Sequence, residues 1–147
     1  MQPRDPAFEQ KVRESFEKQK VMAFLGARLT RLEPGLCEIE LPFRDELTQQ
    51  HGYFHAGVMT TVMDSAGGYA GFSLFPPDSS VMAVEFKVNF MNPGDGDLFV
   101  ATGRVLKSGR TLTVCSLEGA VRKAGKLTPC AAGMQTLMCL QGTPERA

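Results

Sequence analysis

The chain carries no surplus of either charge: 16 Lys and Arg stand against 16 Asp and Glu over 147 residues. A protein that binds a phosphate-coated polymer ordinarily has a basic excess, so a nucleic-acid partner is not expected. No apolar run approaches the roughly 20 residues that a helix needs to cross a bilayer, so no membrane partner is expected either. The first residues, MQPRDPAFEQ, hold charges and no apolar signal core, which places the chain in the reducing cytoplasm as an expectation. Cysteine is sparse. Cys37, Cys115, Cys130 and Cys139 form no CxxC pair and have no His at zinc-ligand spacing, so neither structural zinc nor a disulfide framework is expected. Repeats and long linkers are also missing. What remains is 43% hydrophobic, an ordinary globular share, in one domain over residues 1–147 that is large enough to bury a core without staples. The eight methionines are expected to fill gaps in that core.

The segment PAFEQKVRESFEKQKVMAFLGA alternates acids and bases around Phe8, Val12, Phe16 and Val21, which predicts a helix ending near Gly26. GLCEIELPF sets Cys37, Ile39 and Leu41 against Glu38 and Glu40, a half-buried strand. VMAVEFKVNFM alternates more clearly, with Met82, Val84, Phe86, Val88 and Phe90 on the apolar face. LFVATGRVLK, TLTVCSLEGAV and PCAAGMQTLMCL read as three further strands joined by SGR and KAGK. Connections this short suit antiparallel hairpins and leave no room for crossover helices. The expected class is therefore α+β, an antiparallel sheet with a helix before it.

A second helix is predicted from about Gly57 to Gly71. At about 100° per residue, Val58, Val62, Ala66, Tyr69 and Ala70 form its packing stripe, widened by Met59 and Met63. The other side holds Gly57, Thr60, Thr61, Asp64, Gly67, Gly68 and Gly71, with Asp64 its sole charge. Ordinary exposed helix faces carry Lys, Glu and Arg, so a bare face of this kind suits close approach. A helix–helix contact in a dimer and an active site fit it equally. The amides of Ala56 to Met59 are open donors at the helix start, able to hold a polarised carbonyl oxygen. Asp64 lies seven residues on, roughly 10 Å along the axis. One chain's acid cannot easily serve its own helix start, but two antiparallel helices across a two-fold axis bring each acid to the partner's start.

QQHGYFHAGVMTTVMDSAGG resembles the signature of the PaaI-like acyl-CoA thioesterases, within the broader 4-hydroxybenzoyl-CoA thioesterase group. Gly52, His55, Gly57 and Asp64 match, with nine residues from His55 to Asp64. VEFKVNFMNP and GRVLKSGRTL resemble the family's second and fourth strands, so the likeness spans about residues 20–140. Gln49 stands where the family usually has Asn, and Ala56 replaces the first glycine after His55. His51 has no counterpart in the motif and reads as a loop residue.

The resemblance implies the hotdog fold, a sheet wrapped around one long central helix. It also implies hydrolysis of an acyl-CoA substrate to free acid and coenzyme A. In that reading Asp64 is the general base for water or, alternatively, a nucleophile. The Gly57 amide, with that of Ala56, polarises the carbonyl, and His55 and Gln49 orient carbonyl, water or loop. Lys107 and Arg110 flank the Ser108–Gly109 turn and are candidates for the coenzyme's phosphates. Lys87, Asn89 and Thr61 are further substrate-binding candidates. No metal is required, and no cofactor beyond the coenzyme A of the substrate. The expected assembly is a homodimer, paired into a homotetramer. Two alternatives remain: a non-catalytic acyl-CoA binder, and a hydratase or dehydratase, whose Asp-x-Asn-Pro-x-x-His order MDSAGG lacks.

Overall fold

The computed structural model describes residues 1–143 and 145. The N-terminal helix is two helices, α1 (Phe8–Lys18) and α2 (Lys20–Leu25), parted where Gln19 turns extended at ψ 92°. The break lets Val12 and Met22 both reach the core. The second helix stops at Gly26, as the sequence predicts.

Next come β1 (Arg28–Glu33), β2 (Leu36–Pro42), the 3-10 turn Asp45–Leu47, and α3 (Ala56–Phe72). They are followed by β3 (Ser79–Phe90), β4 (Leu98–Ser108), β5 (Leu112–Lys123) and β6 (Lys126–Gln141). All six strands form one antiparallel sheet in the order β1-β2-β4-β5-β6-β3. The strand β1 has no counterpart in the sequence reading. It lies at the sheet edge with most side chains outward, so its segment shows little apolar alternation.

The helix α3 crosses the concave face, against β2, β3, β4 and β5. Met59, Val62, Met63, Ala66, Tyr69, Ala70 and Phe72 are buried there, and Cys37, Ile39 and Leu41 meet them from β2 as the alternation predicts. The expected helix faces need two corrections. Val58 is only half-buried, while Gly67 and Gly71 lie on the buried side. At Gly67 the reason is steric, since a Cβ would sit 2.5 Å from Leu117 Cδ2. At Gly103 on β4 it would sit 2.4 Å from the Ala66 carbonyl. Helix backbone and sheet are in direct contact here, and a hydrophobicity stripe cannot register that.

The apolar face expected of β3 is also revised. A bulge between Ala83 and Glu85 breaks the alternation. Met82 pairs with Met138, while Phe86, Val88 and Phe90 pair with Gln135, Gly133 and Ala131 and so share the helix side of the sheet. The strand is an edge. Met82, Val84, Phe86 and Phe90 are 58%, 53%, 45% and 45% exposed, so their apolar surface is not covered within the chain.

Candidate active site

The start of α3 is fixed by its preceding loop. Phe54 is buried, and its ring meets Phe43 edge-on at 5.5 Å and tilts against Phe99 at 6.0 Å. His55 follows as the N-cap, its extended backbone (φ −64°, ψ 135°) turning the chain into the helix. Its N–H donates to the Leu47 carbonyl at 2.9 Å. Its Nδ1 accepts the Gly57 N–H at 2.9 Å, which places the ring proton on Nε2. The amide singled out for carbonyl binding therefore already has a partner. Among the described residues, the Ala56 and Val58 amides have none.

Gln49 is a loop fastener. Its Oε1 accepts the His51 N–H, and its backbone bonds Tyr53 and Gly52. Thr61 spends its hydroxyl proton on the Gly57 carbonyl at 2.8 Å.

Asp64 sits half-buried midway along α3. Its Oδ1 accepts a hydrogen bond from Gln135 Nε2, and its own carbonyl receives a longer one from the same nitrogen at 3.3 Å. Burial pushes the carboxyl above the ordinary range, and the Gln135 bond pulls the other way. The acid borders a half-open cavity of about 160 Å³ that Ser15, Gln19, Tyr69 and Glu145 also line. At the far end Ser65 Oγ donates to Gln19 Oε1 at 2.9 Å, Ser15 Oγ donates to Glu145, and the Tyr69 hydroxyl oxygen lies 3.4 Å from Ser15 Oγ. Tyr69, read from sequence as core only, is buried with its hydroxyl pushed up to about 12 by that burial.

The remaining candidates lie apart from Asp64. Lys87 and Asn89 pair with Met134 and Ala132 on the outer face of the sheet, away from α3. Lys107 and Ser108 end β4 and Gly109 and Arg110 follow in the turn to β5, with Ser108, Gly109 and Arg110 near Leu74, which follows the far end of α3. Arg4, absent from the sequence reading, reaches that turn and donates to the Gly109 carbonyl at 2.9 Å. Gln135 was also missed. It stands in the same period-two row of β6 as buried Leu137 and Cys139, and an amide in a core row is the signal that exposes it.

A sheet wrapped on a single helix, with a capped amide-rich helix start and one half-buried acid on the same helix, defines the class. The thioesterase superfamily profile (4HBT) matches residues 51–126. A thioesterase family protein from Silicibacter pomeroyi superposes with a TM-score of 0.91 at 49% identity, covering 92% of this chain and 99% of that one. The PaaI protein of E. coli, at 20% identity, shares the fold with a TM-score of 0.85 over 97% and 99% of the two chains. Human acyl-coenzyme A thioesterase 13 is 28% identical over 100 residues, covering 67% of this chain and 71% of its own. The chain belongs to the thioesterase superfamily. It has the hotdog fold, and its class of activity is hydrolysis of thioester bonds.

Proposed function

We propose that the chain hydrolyses acyl-CoA thioesters in a site shared by two copies, with Asp64 as the general base. The observation that carries this reading is the separation of the parts. The open amides start α3 at Ala56, while Asp64 stands eight residues on, about 12 Å along the axis at 1.5 Å per residue. An antiparallel twin would set each acid beside the other chain's donors. The unpaired β3 edge supports such pairing, since a long apolar edge seeks another strand. Leu112, Leu127 and Met134, exposed elsewhere on the sheet, offer surface on which two such dimers would pair into a tetramer.

In this site the thioester carbonyl oxygen meets the partner's Ala56 amide, with His55 holding Gly57 and the helix start in place. Asp64 takes a proton from water as the water oxygen adds to the carbonyl carbon. The tetrahedral intermediate then collapses, the C–S bond breaks, and the proton passes to the departing thiolate. The products are a free acid and coenzyme A. The acyl group occupies the cavity beside Asp64, whose volume of about 160 Å³ is near that of a cavity accommodating benzene. The cations Lys107, Arg110 and Arg4 receive the coenzyme's phosphates. The human relative's name, acyl-coenzyme A thioesterase, supports the choice of thioester.

The test uses two inactive variants. Asp64→Ala removes the base and should lower thiol release from an acyl-CoA by about 10²–10⁴-fold. Ala56→Pro removes one amide at the first helical position, where proline is tolerated, and the extended His55 suits a residue before proline. Mixed and re-annealed, the two should recover about a quarter of wild-type activity, because half the dimers are mixed and each of those has one intact site. No recovery after verified subunit exchange would rule out the shared site. Full activity of Asp64→Ala would rule out the base.

A further inference from the structure

The core of a hotdog sheet has little use for an amide, yet Gln135 lies fully buried at the centre of β6. Its Oε1 has no partner among the described residues and presses on the helix so closely that a Cβ at Gly67 would lie 2.0 Å from it. A buried, unpaired amide oxygen is costly, and a leucine or methionine would fill this volume without that cost. The one thing the amide gains is its Nε2 bond to the Asp64 carboxylate and carbonyl. Turning the amide over would put two oxygens face to face, so the hydrogen bond fixes its orientation.

We infer that Gln135 is a positioning residue for hydrolysis: it holds Oδ1 of Asp64, leaving Oδ2 as the oxygen that takes the proton from water. This rests on Asp64 being the base. A carboxylate on a two-bond side chain would otherwise swing between rotamers, and the bond from β6 ties it to the sheet. The amide also opposes the effect of burial on the acid, favouring its ionised form. Of the groups lining the same cavity, Tyr69 and Glu145 titrate. Tyr69 is pushed up to about 12 and stays neutral through the acid range. Glu145 is left unchanged in both variants.

The experiment compares Gln135→Met and Gln135→Glu with wild type, reading kcat/KM for an acyl-CoA against pH and, without turnover, the carboxyl ¹³C titration of Asp64. With the amide gone, the acid loses the bond that favours its charged form. The acid limb of the profile and the ¹³C midpoint should both move to higher pH, kcat should fall about 10- to 100-fold, and KM should change little. Gln135→Glu, which sets a second carboxyl beside the first, should move the midpoint further up. A Gln135→Met protein with an unmoved limb, an unmoved midpoint and near wild-type kcat would leave Gln135 a packing residue and overturn the inference. The failure of the underlying reading looks different: there, wild type and Asp64→Ala would turn over equally.

Discussion

Asp64 is ordinary in type and unusual in placement. Its folded pKa is raised by burial, with Gln135 opposing, so the native state binds its proton more tightly than the unfolded chain does. A raised carboxyl destabilises the fold as pH rises from the unfolded value through the folded one, and the full cost persists above both. Asp64→Asn should therefore melt a few degrees higher than wild type at pH 7. The gain should shrink as pH falls through the folded pKa and vanish near the ordinary carboxylate range. Thermal melts by circular dichroism across pH 4 to 8 check this, and a variant that melts lower than wild type at neutral pH contradicts it. At this scale the nine-residue step from His55 to Asp64 is legible in the sequence, because that spacing is local to one helix and its cap. The sequence did not disclose that Gln135, 71 residues further along, holds the acid.

Helix α3 and strand β3 each depart from their simple periodicities where they touch a neighbour. Gly67 is required by contact with Leu117 and Gln135, not by helix propensity. Gly67→Ala should cost about 1–3 kcal/mol by overpacking, read as a lower Tm. It should also displace Gln135 and raise the acid limb in the same direction as Gln135→Met, and the double variant should move that limb no further than Gln135→Met alone. Additive shifts would mean that Gly67 acts on Asp64 by another route. In β3 the bulge after Ala83 sends Met82 and Phe86 to opposite faces. Strict alternation was the natural reading of VMAVEFKVNFM. One inserted residue is invisible to it, since a bulge depends on the partner strand.

The whole molecule leaves its long edge strand open, with Val84 and Phe90 about half exposed. In the shared site proposed above, a second chain over that edge would both pair its open backbone and complete the site. Val84→Lys combined with Phe90→Lys should shift sedimentation to a 16.0 kDa monomer, keep the far-ultraviolet spectrum, and reduce thioester hydrolysis more than about 100-fold. A charged edge that still sediments as an active oligomer would move the interface elsewhere. Both lysines replace side chains already half in water, so the chain's own core is not the thing being tested.

From the chain alone one could read the two helical segments, five of the six described strands, a helix start near Gly57 and the nine-residue step from His55 to Asp64. These are written in periods of two and 3.6 and in short spacings, each set by neighbours along the backbone. Folding decided which glycines meet the sheet, where β3 slips by one residue, that β1 exists, and which amide holds the acid. Those outcomes depend on backbones approaching within a few ångströms and on strand register, and both are properties of residues distant in sequence that packing brings together.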